Sequence, residues 1–251
     1  MLHVKHFKVK MKIQRKHLIQ LMKPFIDDFE YYKNSILENN AKYNLTSIKS
    51  EDFYEKHFLD SLAIYPLLIR ELYNSVDNQN QSFLTEYSED EFYYEAHSMS
   101  DLTKESSKLK IADVGSGAGF PSIPLLIVNK NLNITMINSN HKKSDFLKSI
   151  IDHYAFANAR VICSNVKEVK EKFDIIVFRA FASIDNFLKN SRSIFSSNAK
   201  IFAMKGKKSE IENEILVVKN IKLCDKLRGV KYHEVIGFDF ERNIVELIWG
   251  K

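Results

Sequence analysis

Apolar residues recur at helical spacing between residues 15 and 39: Leu18, Leu21, Met22, Phe25, Ile26, Phe29, Ile36 and Leu37. That pattern predicts one or two amphipathic helices opening the chain. A second helical run is predicted over Glu51 to Leu72, entered through Ser50-Glu51-Asp52, which supplies a cap and early negative charge. The periodicity then stops. Residues 74–108 are polar, acidic and rich in Asn, Gln and Ser, and read as an insertion or mobile loop that Phe83, Phe92, Tyr93 and Tyr94 could tack to the surface. From residue 109 short apolar runs alternate with helix-period segments. Strands are predicted over 109–114, 133–138, 159–163, 173–179, 199–204, 230–236 and 243–249, and helices over 120–129, 142–155, 184–195 and 208–218. Such alternation builds a mostly parallel, seven-stranded α/β sheet with helices on both faces. The last two strands flank a short loop around Gly237 and are expected to form an antiparallel hairpin at the sheet edge. The expected organisation is an N-terminal helical region (1–73), the acidic insertion (74–108) and an α/β domain (109–251).

The junction of the first of these strands with its helix carries the strongest chemical signal. Residues 111–124 read I-A-D-V-G-S-G-A-G-F-P-S-I-P: a short buried strand, a turn with Gly115, Gly117 and Gly119, and an apolar helix with Pro121 in its first turn. Glycines at such a turn let a ligand approach the backbone, and the orphan N–H groups of the helix start receive it. The turn alone fits several ligands. Asp113, an acid two residues before the first glycine, sharpens that signal.

Charge adds a partner class. The chain carries 37 Lys and Arg against 32 Asp and Glu, a net charge of +5. Residues 74–105 hold eight acids and one base, so the rest of the chain is at +12, and seven bases precede the first acid, Asp27. A body this basic suits a polyanion such as RNA or DNA; a lysine-rich codon bias explains it equally well. The leader (Lys5, Lys8, Lys10, Lys12, Arg15, Lys16) reads either as a disordered arm gripping RNA or, with Met11 as the true start, as incidental. No run of 18 apolar residues exists to span a membrane. Cys163 and Cys224 stand apart, outside any metal-ligand spacing, as structural thiols of a cytoplasmic protein.

Three further blocks narrow the reading: Tyr43-Asn44-Leu45-Thr46-Ser47-Ile48 followed by His57-Phe58-Leu59-Asp60-Ser61-Leu62; Phe178-Arg179-Ala180-Phe181-Ala182-Ser183; and Ala203-Met204-Lys205-Gly206-Lys207. Together with the glycine turn, in this order, they resemble the RsmG (GidB) family, bacterial methyltransferases acting on N7 of a guanine in 16S ribosomal RNA. The resemblance runs from about residue 20 to the C-terminus, interrupted by the acidic segment. It implies a class I Rossmann-like methyltransferase fold with an N-terminal helical extension. S-adenosyl-L-methionine is the implied cofactor, and 16S ribosomal RNA or the small-subunit particle the implied partner, with no metal, no membrane and a monomeric protein.

On that resemblance the cofactor falls to Asp113, Gly115, Ser116, Gly117, Gly119, Phe120, Asn138, Asn165, Val166 and Arg179. Asn138 stands where the family usually places an Asp for the ribose hydroxyls, and Ser164-Asn165-Val166-Lys167 where it often reads S-R-x-E near the adenine. Asn40 stands where it tends to have Trp. Arg179 and Lys205, at the carboxyl ends of predicted strands, are expected to position the guanine or its phosphate; ordinary strand-end charges reaching solvent would look the same. Lys142 and Lys143 are candidate phosphate contacts or a solvated helix face. Asn44, His57 and Asp60 line the site entrance or merely pin the N-terminal helices. Guanine N7 carries its own lone pair, so positioning and electrostatics suffice and no nucleophilic side chain is needed. Two other readings stand beside this one: a catalytically weakened relative that binds RNA or ribosomal particles, and a small-molecule methyltransferase on the same fold.

Overall fold

The computed structural model describes residues 9–76, 109–220 and 224–250. The segment after Val76 up to residue 108 and the first eight residues, and with them most of the acidic segment and Lys5 and Lys8 of the leader, lie outside the described residues.

Among the described residues eight strands form one sheet, in the order β1-β7-β8-β6-β5-β2-β3-β4. They are β1 (Val9–Gln14), β2 (Ile111–Val114), β3 (Ile134–Ile137), β4 (Ala159–Ile162), β5 (Phe173–Arg179), β6 (Phe195–Lys205), β7 (Leu227–Ile236) and β8 (Arg242–Trp249). Only β8 runs against the rest, pairing antiparallel with β6 and β7. β2 and β3 are buried at every position, as strands covered on both faces must be.

The count corrects the expected seven, and the extra strand comes from the basic leader. Val9–Gln14 pairs in parallel with β7, Ile13 opposite Val235, so this stretch is an ordered strand and no arm. Its alternating Val-Lys-Met-Lys-Ile pattern places Ile13 fully inside. The final hairpin is therefore not the sheet edge, because β1 covers β7.

The helices are α1 (Arg15–Met22), α2 (Ile26–Tyr43), α3 (Asp60–Leu62), α4 (Tyr65–Val76), α5 (Ser122–Val128), α6 (His141–Tyr154), α7 (Ile184–Ser191) and α8 (Lys208–Lys219). The run predicted over Glu51 to Leu72 is helical but broken: a 3-10 turn at Ser50–Asp52, wider π turns over Tyr54–Leu59, then α3 and α4. The π turns set His57, Phe58 and Leu59 inward together.

The N-terminal helices and the strands share one core. Phe29, Phe53 and Phe58 are fully buried; Phe53 and Phe58 each meet Phe120 of the glycine turn at 6.3 Å between centroids, and Phe29 packs on Phe58 at 4.8 Å. Each such ring contributes about 1.5–3 kcal/mol of burial. Tyr32 of α2, also fully buried, donates its hydroxyl to the carbonyl of Ala118 at 2.6 Å and so fastens the first helical layer to the turn. On the antiparallel side, Glu246 of β8 is fully buried and accepts from Arg70 of α4 at 2.8 Å, Lys231 at 2.8 Å and His233 at 2.9 Å. A buried carboxylate needs such partners.

Candidate functional site

The carboxyl ends of β2, β5 and β6 meet at one rim of the sheet, where ligands bind in open α/β folds. The glycine turn after β2 is held from several sides. Gly115 N–H donates to Ile137 of β3 at 2.9 Å, and Gly119 and Phe120 N–H both bond the Ser116 carbonyl. Gly119 takes φ +108°, and a Cβ there would lie 2.6 Å from Ile123 and 2.8 Å from the Tyr32 hydroxyl, so only glycine fits. Gly117 differs. Its φ is +58°, yet a Cβ there would meet nothing nearer than the Gly115 carbonyl at 3.8 Å, so the backbone faces open space. Over Gly115 lies the ring of Phe181, a residue sequence reasoning left unassigned.

Polar atoms at this turn lack partners among the described residues. Asp113 accepts from Ser122 Oγ at 2.6 Å through Oδ2, while its Oδ1 and the Ser116 hydroxyl are buried without a hydrogen bond. Burial pushes the Asp113 carboxyl up to about 7, against the opposing pull of the Ser122 hydrogen bond and the Arg179 charge. An acid that lacks a cation, beside a hydroxyl that lacks a partner and a glycine open to ligand, is a cradle for a small charged group. Asn138, at the end of β3, donates its amide to the Gly117 carbonyl at 3.1 Å and accepts from Asn140 N–H at 3.2 Å. It braces the turn. One amide hydrogen and one lone pair are left to meet a hydroxyl. Asn165 caps the 3-10 turn Val166–Glu168 by accepting from Lys167 N–H at 3.1 Å, and Val166 is buried.

Beside the turn lies a cleft of about 630 Å³, walled by the Asn44–Ile48 loop, Lys56, His57, Asp60, Lys143, Arg179, Ala180, Met204, Lys205, Gly206 and Arg242. It gathers Asn44, His57, Asp60, Lys143, Arg179 and Lys205 from the sequence reading; Lys142, exposed on α6, is not in its wall. The wall holds five cationic residues and one carboxylate, Asp60; of the cations, Lys56 is already paired with Asp52 at 2.7 Å.

That carboxylate, Asp60, is 1% exposed and binds two arginines: Arg179 Nη1 donates to Oδ2 at 2.8 Å, and Arg242 Nε sits 2.7 Å from Oδ1. Arg242 escaped sequence reasoning because β8 is the reversed strand, so its first residue, not its last, reaches the rim. Arg179 also donates to His57 Nδ1 at 3.0 Å and to the Lys56 carbonyl at 3.3 Å, and lies 5.1 Å above the Phe120 ring. The strand-end arginine is thus no solvated charge. Its Nε–H and one Nη2–H remain without a partner among the described residues.

His57 stacks on Phe120, centroids 4.0 Å apart and planes 4° apart, and its pKa falls to about 3 through burial first and the Arg179 charge second. The ring is neutral and engaged at both nitrogens, so it is no base. Lys205 donates to the Ala182 carbonyl and to Glu214 of α8, both at 2.9 Å. Its charge is neutralised by that pair, which weakens its expected part as a nucleotide contact relative to Arg179 and Arg242. Among the described residues no group of three or more His, Cys, Asp or Glu could hold a metal ion, and no helix is long and apolar enough to cross a membrane.

A family model described as GidB, rRNA small subunit methyltransferase G, matches residues 73–236. The ribosomal RNA small subunit methyltransferase G of Mycoplasma capricolum is 31% identical over 217 residues, 85% of this chain and 78% of its own length. That of Mesoplasma florum is 33% identical over 207 residues, 80% of this chain and 70% of its own. That of Chromobacterium violaceum is 26% identical over 238 residues, 92% and 91%.

Proposed function

The chain belongs to the rRNA small subunit methyltransferase G family, and from that premise we propose that it methylates N7 of a guanine in small-subunit (16S) ribosomal RNA, using S-adenosyl-L-methionine. The observation that carries this reading is the cleft beside the glycine turn, where Lys143, Arg179 and Arg242 outnumber the one carboxylate in the wall, Asp60, while Lys56 and Lys205 are paired with Asp52 and Glu214. Cations in excess at the mouth of a site suit a phosphate backbone.

The residues of the turn fit the cofactor. Asp113 Oδ1 is an unpaired acceptor for its ammonium, Ser116 Oγ a second polar contact, and the open face of Gly117 leaves room for its body. Asn138 keeps hydrogen-bonding capacity for the ribose, and Val166 offers an apolar surface beside Asn165 for the adenine. When bound, S-adenosyl-L-methionine supplies an electrophilic methyl group on a sulfonium.

The chain's own task is then positional. Guanine N7 needs no proton removed, and no side chain here is poised to remove one: His57 is neutral with both nitrogens engaged, and Asp60 is bound by two arginines. Arg179, fixed by Asp60, His57 and Phe120, retains two donors for the phosphate or O6 of the nucleotide while N7 stays open. Lys143 and Arg242 add charge for the flanking backbone.

The test is transfer of label from S-adenosyl-L-methionine to small-subunit RNA lacking the modification, with the product nucleoside identified as N7-methylguanosine. Absence of transfer, with the cofactor bound, overturns the assignment.

A further inference from the structure

We propose that Thr46 donates its hydroxyl proton to O6 of the substrate guanine and thereby makes the site select guanine over adenine. The inference deepens the methyltransferase reading and rests on it.

Hydrogen-bond accounting around His57 leads there. A guanidinium has donors only, so the 3.0 Å contact between Arg179 Nη2 and His57 Nδ1 makes Nδ1 the acceptor. The neutral ring then carries its single proton on Nε2, which lies 2.7 Å from Thr46 Oγ1 and donates to it. The Ile48 N–H donates to the same oxygen at 3.0 Å. A hydroxyl oxygen has two lone pairs, and both are now occupied. Its proton is left over, with no acceptor among the described residues, on a half-buried side chain that forms part of the cleft wall.

The position is also held rigidly. Asn40 accepts from the N–H groups of Leu45 and Thr46 at 2.8 and 2.9 Å and donates to the Thr46 carbonyl at 2.9 Å. Thr46 is therefore a preorganised, donor-only group, with Arg179, through His57, as the residue that orients it.

Guanine and adenine differ at one atom beside N7: guanine offers O6, an acceptor, and adenine an amino group, a donor. N7 must stay open to the incoming methyl, so recognition along that edge falls on O6. A fixed donor there accepts guanine and sets donor against donor for adenine.

The experiment compares wild type, Thr46→Val and Thr46→Ser on small-subunit RNA assembled with either guanine or 2-aminopurine at the methylated position. 2-Aminopurine keeps N7 and lacks O6. Wild type and Thr46→Ser are expected to lose about tenfold in kcat/KM on 2-aminopurine, the worth of one hydrogen bond. Thr46→Val is expected to be slower on guanine and to lose clearly less than wild type on 2-aminopurine. A structural role, or a contact to phosphate, slows both substrates by one factor and preserves their ratio; that result overturns the proposal, as does a wild type indifferent to the base. Cofactor affinity checks that each variant is folded. Thr46→Cys, polar but a weak donor, gives the same reading through the ratio should Thr46→Val misfold. Failure of the underlying reading looks different: no methylation of any RNA by wild type that binds cofactor.

Discussion

Asp60 and Arg179 stand 119 residues apart in sequence and meet at 2.8 Å through Oδ2 and Nη1, with Arg242 closing on the other carboxylate oxygen. Two cations share one anion in a nearly solvent-free place. Removing the charge strands both. Asp60→Asn is expected to lose about 3–5 kcal/mol of unfolding free energy, read by urea denaturation; a loss below 1 kcal/mol would show that the arginines find other partners.

His57 shapes the acid limb of stability. Unfolded, its imidazole takes a proton near 6.5; folded, it refuses one until about 3. Between those values the unfolded state binds more protons, so stability falls as pH drops from about 6.5 toward 3. Thermal melting of His57→Gln across pH 7 to 4 is expected to be flatter than wild type.

Asp113 acts with the opposite sign. Its folded carboxyl, raised to about 7, holds a proton that the unfolded chain loses near 3.8, so its stabilising contribution is full below 3.8 and disappears as pH rises through 7. At pH 8 Asp113→Asn is expected to be more stable than wild type by about 1–3 kcal/mol, since it removes a buried unpaired charge. Its affinity for S-adenosyl-L-methionine is expected to fall by about ten- to a hundredfold. In wild type that affinity rises with pH through 7, and calorimetry in buffers of different ionisation heat should register proton release on binding.

Gly117→Val tests where the cofactor lies. A β-branched residue at φ +58° is strained by about 1–2 kcal/mol, but its Cβ would meet nothing nearer than the Gly115 carbonyl at 3.8 Å among the described residues. The melting temperature is expected to fall by a few degrees and cofactor binding to vanish. Retained affinity would move the cofactor away from this turn.

How much of this was legible beforehand depended on range. The glycine turn and the alternation of strands and helices follow from local pattern, whereas the grouping of Asn44, His57 and Asp60 at a site entrance rests on the family resemblance; the structure sets His57 and Asp60 against Arg179 and all three in one cleft wall. Three things were not local. Arg242 reaches the rim only because β8 is reversed. Asn138 braces the Gly117 carbonyl, a contact that no spacing announces. Val9–Gln14 alternates like any half-covered strand, but the density of lysines hid the pattern and suggested an arm. Lys205 shows a fourth limit: a strand-end position can be read from sequence, whereas the Glu214 that neutralises it sits on a later helix.

The pairing of Val9–Gln14 along Leu227–Ile236 has a consequence for how the molecule behaves in a crowded cell. An uncovered ten-residue strand would present a ladder of unmet amide and carbonyl groups on which a neighbouring chain could add itself. With that flank closed by a lysine-bearing ribbon, the two outermost strands among the described residues are six and four residues long, poor templates for templated aggregation.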